Sequence, residues 1–456
     1  MKALRGYTLF AGIALTAAAS VSANETGTAS ANGTVAETED ELAIDANGTV
    51  YTDSTEQSDY VPVPEEAVLL SGGQNGVHRK IIGVLYDASD LHFQDATVPR
   101  FLMIDRQGNT LFGIGGYVEG VAQYDFGGAI DNSGFITNDI SVPSNPGMRN
   151  RLAADATHTN IVLQLLRKTP LGVLSAYVQG NFSAADYGFK LKQAYLRLDK
   201  VTMGYTRSTF EDALAGAPTI DYQGPAGAVS RTNVILQYRT PVSRHFSVAV
   251  SAEIPDADYT LTPGANEAIN QRFPDIPVYV QYQWGEHSHV RASALLRDLS
   301  YRNLVSGENK FATGWGVQLS GIADFSKFVA LRYEVVYGKG IANYINDLSG
   351  FGYDLLSKGD GGGMKAPGSF SMSSGLQVNI SKNLFVSGTY SFVRLYDQGN
   401  MGGDFYRRGN YAVVNCFYTP FDSFQVGLEY LHGIRTNMNH EHGSANRLEA
   451  MVKYSF

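Results

Sequence analysis

The chain closes on RLEAMVKYSF, residues 447–456, where Leu448, Ala450, Val452, Tyr454 and Phe456 alternate with Arg447, Glu449, Met451, Lys453 and Ser455. A strand points successive side chains to opposite faces, so this period of two demands a strand with an apolar medium on one side and a polar one on the other. The pattern is not confined to the end. In LFGIGGYVEGVAQYDF (111–126), Phe112, Ile114, Val118, Tyr124 and Phe126 share one face, with Glu119, Gln123 and Asp125 on the other. HFSVAVSAEIP (245–255), PVYVQYQW (277–284) and FVALRYEVVYG (328–338) read the same way.

The connections alternate in length. Short turns rich in Pro, Gly, Asp, Asn or Ser fall near 169–172, 199–200, 241–244, 285–288, 324–327, 381–383 and 420–423. Between them lie longer polar loops, near 127–157, 183–189, 207–230, 255–277, 298–312, 341–369, 395–409 and 434–446. Seven turns and eight loops join sixteen strands. Tight turns at one end and long loops at the other define an antiparallel outer-membrane barrel, whose closure leaves no backbone edge unsatisfied in lipid. The expected fold is therefore an all-β, sixteen-stranded transmembrane barrel over residues 111–456, with both termini in the periplasm of a Gram-negative bacterium. A secreted β-sandwich or propeller also alternates. Aromatics at both strand ends of the apolar face, and Gln, Ser, Asn and Tyr on the other, favour the barrel.

The segment before the barrel divides in three. Lys2 and Arg5, an apolar run from Leu9 to Ala19 and Val21-Ser22-Ala23 read as a secretory signal peptide, 1–23, cleaved after Ala23. Residues 24–66 hold eleven acidic residues and no Lys or Arg, which accounts for the whole formal charge of −9 and leaves residues 67–456 neutral. Such a tract cannot bury enough apolar surface to order itself, so a disordered acidic segment is expected there. Residues 67–110 form a periplasmic lead-in. A single cysteine, Cys416, excludes disulfides within the chain and a thiolate cluster; packing is its expected role.

Four stretches carry a family resemblance: GIGGYVEGVAQYDFGG (113–128), GYTRSTFEDALAGAPTIDYQGPAG (204–227), RTNVILQYRTP (231–241) and the terminal RLEAMVKYSF. Together they resemble the DcaP-like outer-membrane porins over most of residues 100–456. The resemblance implies a sixteen-stranded homotrimeric porin that passes small hydrophilic solutes, often anionic. Members commonly carry a coiled coil before the barrel, whereas residues 24–100 show no sustained heptads. Arg207 stands where members tend to have Trp.

Pore width and lining charge decide what a porin passes. The loop 207–230 is the expected constriction, with Arg207, Glu211, Asp212 and Asp221. On the wall, parity turns Arg197, Arg231, Arg239, Arg291, Arg297, Arg332, Arg447 and Lys453 inward against Glu119, Asp125, Glu253, Glu334, Glu429 and Glu449. One reading is an eyelet of loop acids facing wall arginines, with a mild preference for anions such as small carboxylates. The other is mutual pairing that stiffens the wall. Tyr454 and Phe456 supply the end signal read by the barrel assembly machinery. Expected partners are outer-membrane lipid, that machinery during biogenesis, and small anionic or neutral solutes, without nucleic acid or cofactor.

Two rival functions have weaker support in the sequence. His287 with His289 and His440 with His442 have alternate spacing that could aim two imidazoles one way, but no third ligand or nucleophile accompanies either pair, so neither a metal site nor an enzyme is expected. Loop aromatics Tyr344, Phe351, Tyr353, Phe405 and Tyr406 would suit an adhesion barrel with a closed lumen.

Overall fold

The computed structural model describes residues 110–456 apart from 129, 131–132, 286–287, 360 and 397–400, preceded by the short stretches 43–44, 50–51, 68–71, 93–94, 99 and 101–104. The signal peptide, almost all of the acidic tract, and His287 lie outside the described residues.

Among the described residues, sixteen antiparallel strands close into a barrel. They are β1 (Thr110–Gly127), β2 (Arg151–Asp155 resuming as Asn160–Thr169), β3 (Gly172–Ala184), β4 (Gly188–Leu198), β5 (Val201–Arg207), β6 (Thr232–Pro241), β7 (Phe246–Glu253) and β8 (Ile276–Trp284). Then follow β9 (Ser288–Asn303), β10 (Glu308–Ser326), β11 (Val329–Lys339), β12 (Gly368–Asn379), β13 (Leu384–Leu395), β14 (Tyr406–Phe421), β15 (Phe424–Asn437) and β16 (His442–Ser455). β16 pairs with β1, Lys453 opposite Glu119 and Tyr454 opposite Val118. Phe456 completes the seam: its N–H donates to Gly116 O at 2.9 Å and its carbonyl accepts from Gly116 N–H at 3.0 Å. Below that seam Phe101–Ile104 pairs with the free edge of β1.

Burial follows parity. On β16, Leu448, Val452 and Tyr454 are exposed while Arg447, Glu449, Met451 and Lys453 are buried. The same holds on β1, where Val118, Tyr124 and Phe126 face out and Glu119, Gln123 and Asp125 face in. A soluble sandwich buries its apolar face; here that face is the exposed one, as lipid requires. Aromatics gather at both ends of this outer surface. Phe126 stacks on Tyr430 and Trp315 meets Tyr337 at the loop end, while Phe246–Tyr282 and Phe421–Phe424 ring the turn end.

The apolar core lies inside the barrel and belongs to loops. L1 (128–150), L3 (208–231) and L6 (340–367) fold into the lumen. Phe135, Ile140, Phe210, Ala226, Val229, Ile341, Tyr344 and Leu348 from these loops pack on Leu295, Val336, Val393, Val413 and Leu431 of the wall. They fill the side formed by β9–β16.

Candidate functional site

L3 leaves β5 and traverses the inner wall as far as β15. Its backbone is buried without a helix or sheet of its own beyond one short turn, Ala213–Ala215. Buried N–H and C=O groups must find partners, and in this position wall side chains supply them. Thr209 N–H donates to Glu253 Oε1 at 2.8 Å, Val229 N–H to Glu334 Oε1 at 2.8 Å, and Ile220 and Asp221 N–H to the two oxygens of Glu429 at 2.8 and 2.9 Å. Wall cations take the carbonyls: Arg291 Nη1 donates to Glu211 O at 2.9 Å and Arg332 Nη1 to Leu214 O at 2.5 Å. Gly227 N–H donates to Ser391 Oγ at 2.8 Å, and a Cβ at Gly227 would stand 2.7 Å from Met372 O, so only glycine permits this approach.

The loop acids turn the same way. Asp212 accepts from Ser320 Oγ at 2.7 Å and from His289 Nε2 at 2.9 Å, with Arg291 Nη1 at 3.8 Å. A carboxylate only accepts, so His289 carries its proton on Nε2. Burial pushes the Asp212 carboxyl up, but Arg291, His289 and the two hydrogen bonds outweigh it and hold the group below the usual carboxylate range. Asp221 accepts from Phe135 N–H at 2.9 Å and Tyr411 OH at 3.0 Å, tying L3 to L1; burial raises its carboxyl despite those donors. Glu211 bridges the loop's two feet, accepting from Arg207 Nη1 at 2.5 Å and Arg231 N–H at 2.8 Å.

L6 seals the second limb of L3. Asn346 and Asp347 N–H donate to Ala228 O and Ala226 O, and Asp347 accepts from Thr137 of L1 and Tyr406 of β14. Arg297 lies fully buried between Asp275 and Asp354, 3.0 Å from each, and joins the wall to L6 and the loop after β7.

Of the wall residues singled out from sequence, Glu253, Glu334, Arg291, Arg297 and Arg332 are thus gathered beneath the loops. Glu119 stands at the β1–β16 seam opposite Lys453. Arg197, Arg231 and Arg239 are brought elsewhere, to the β4–β6 wall. Arg197 Nε donates to Thr202 Oγ1 at 3.2 Å, and Arg231 forms an ion pair with the exposed Asp256. Around them runs an amide belt: Gln193 Nε2 donates to Gln179 Oε1 at 2.8 Å, and Gln193 Oε1 accepts from Thr206 Oγ1 at 2.7 Å.

Tyr222 and its neighbours carry no pattern in the sequence that marks them as part of the site. At the far turn of L3 the Tyr222 ring stacks on His158 at 3.8 Å, with Lys192 Nζ 4.6 Å from its centroid and Asn181 Nδ2 3.3 Å from its hydroxyl. These contacts carry L3 across to β2–β4. Lys192 escaped the parity count because it is the bulged residue where Gly180 pairs with Leu191 and Gln179 with Gln193. His440 meets Arg407 on the exposed loops. No group of three candidate metal ligands occurs among the described residues.

A closed sixteen-stranded barrel, apolar outside and polar within, whose third loop is folded back to narrow its lumen, is an outer-membrane porin. The chain belongs to the DcaP outer membrane protein family, whose model matches residues 107–456. The crystal structure of the outer membrane channel DcaP of Acinetobacter baumannii is similar with a TM-score of 0.66 at 22% identity, over 77% of this chain and 98% of that one. A loop L8 deletion mutant of OmpT from Vibrio cholerae gives 0.50 at 10% identity, over 76% and 100%. Both are likenesses of fold. A comparison with curated proteins gave no match. As a family of diffusion channels in the outer membrane, these proteins work by passage rather than catalysis, and both termini of the barrel face the periplasm.

Proposed function

We propose that the channel passes small hydrophilic solutes with a mild preference for anions, small carboxylates among them. The observation that carries this reading is a division of charge. The acids of L3 and the acids Glu253, Glu334 and Glu429 are consumed in fastening the loop. The β4–β6 wall carries Lys190, Lys192, Arg197 and Arg239 with Arg231 beside it, five cations against the nearby acids Asp155 and Asp256. A narrow passage focuses the field of such a wall, lowers the barrier to anions and loses that advantage as salt screens it. Arg207 stands at the loop's foot, paired with Glu211.

We also propose a homotrimer. β5 has seven residues, short of the roughly 9–11 that a membrane strand needs. Its outer face exposes Val201 and Met203 beside Leu196 and Leu236, so a second protomer rather than lipid covers it. The same reading takes 1–23 as a signal peptide, 24–66 as an acidic low-complexity segment, 67–110 as a lead-in, and Tyr454 and Phe456 as the signal for the barrel assembly machinery. Reversal potentials in a planar bilayer under a KCl gradient test selectivity. An anion preference of about 2–5-fold at low salt is expected, reduced by the Arg197→Ser/Arg239→Ser double variant. A cation-preferring wild type rejects the proposal, and insertions that add conductance in single steps rather than threes reject the trimer.

A further inference from the structure

The inner wall at the turn end of β13 breaks its own pattern. Ser387, Thr389 and Ser391 occupy successive inward positions of that strand, yet the first inward residue is Phe385, and its partner across on β14 is Phe417. The two rings stack at 4.9 Å and are almost fully buried. A pair of phenyl rings on a wall that faces water is costly unless something apolar covers it.

The cover comes from outside the barrel sequence. The Phe93 ring meets Phe417 edge-on at 5.1 Å and Phe385 at 6.2 Å, and Ile220 of L3 and Met451 of β16 close the same cluster. Lys453 Nζ lies 5.2 Å from the Phe93 centroid and 5.1 Å from that of Tyr117. Gln94 is held on both sides: Tyr117 OH donates to its carbonyl at 2.8 Å, and its Nε2 donates to Asp221 O at 2.8 Å and Thr219 O at 3.3 Å. Pro99 lies at the rim, its Cα 2.7 Å from the place a Cβ on Gly115 would occupy. Gly115 leaves the room for this approach.

We propose that Phe93 and Gln94 form an internal peg that narrows the turn-end half of the lumen and props the 219–221 turn of L3 from below. The peg therefore sets pore width from a segment that precedes the barrel, and the constriction is complete only when that segment is seated. This rests on the porin reading above.

Two measurements on the full chain decide it. In planar bilayers the Phe93→Ser/Gln94→Ala variant should raise single-channel conductance about 1.3-fold over wild type, because the narrowest cross-section gains the space of a phenyl ring. Equal and measurable conductances overturn the peg. The second measurement needs no current: benzoylphenylalanine placed at position 93, irradiated in native outer membranes, should join to peptides containing Phe385 or Phe417. Adducts confined to other peptides overturn the proposal. A wild type without conductance that still gives these adducts counts against the porin reading and for the peg.

Discussion

Replacing Asp212 with Ala should free the first limb of L3 while leaving the barrel intact. The carboxylate is fully buried and serves Ser320, His289 and Arg291 together. Removing one member of a buried charged group costs about 3–5 kcal/mol when its partner is stranded. Arg291 is not wholly stranded, since it keeps Gln281 Oε1 at 2.9 Å and Glu211 O at 2.9 Å. The lower bound therefore applies, and about 3 kcal/mol corresponds to roughly a hundredfold rise in the local opening equilibrium. Hydrogen exchange read by mass spectrometry should show peptides over 208–217 losing protection by about that factor, with the strands as internal control. Acid should not reproduce the effect at moderate pH. A carboxyl depressed in the native state stabilises above its unfolded value, near 3.8, and loses that contribution only as pH falls through the depressed value. The wild-type limb should therefore stay protected from neutral pH down to about 4. Unchanged protection in Asp212→Ala, or an equal loss in every strand, would refute the anchoring role.

Cysteines at Ser144 in L1 and Gly361 in L6, both exposed on loops of the outer side, should react with an impermeant thiol reagent on intact cells, and one at Lys382 in a turn should not; the reverse pattern would invert the barrel. Deleting Phe456 removes both hydrogen bonds to Gly116 and should leave the chain secreted but poorly assembled, seen as loss of the heat-modifiable band; normal levels of folded barrel would show that the seam closes without it.

Strand number, turn positions and the facing of side chains along the unbulged strands were legible because lipid and water enforce a period of two over long stretches. Arg447 and Glu449 face inward, Val452 and Tyr454 outward, as RLEAMVKYSF alone requires. What the inward charges meet was not legible. Parity brings Glu334 to the lumen, but only the fold shows that Val229 of L3 waits there with an N–H to be satisfied. A partial signal existed in apolar residues at inward positions, Val336 on β11, Val393 on β13 and Val413 on β14, which mark the wall against which loops pack. Lys192 was hidden by a bulge, and Tyr222 by the absence of any local pattern that says how far a loop reaches.

The fastening of L3 also imposes an order in time. Ile220 and Asp221 depend on Glu429, 209 and 208 positions further along the chain. Until β15 joins the sheet, the far turn of L3 lacks these acceptors and the loop cannot hold its final course. An assembling barrel is therefore wide before it is narrow, and the passage acquires its caliber only when the penultimate strand arrives.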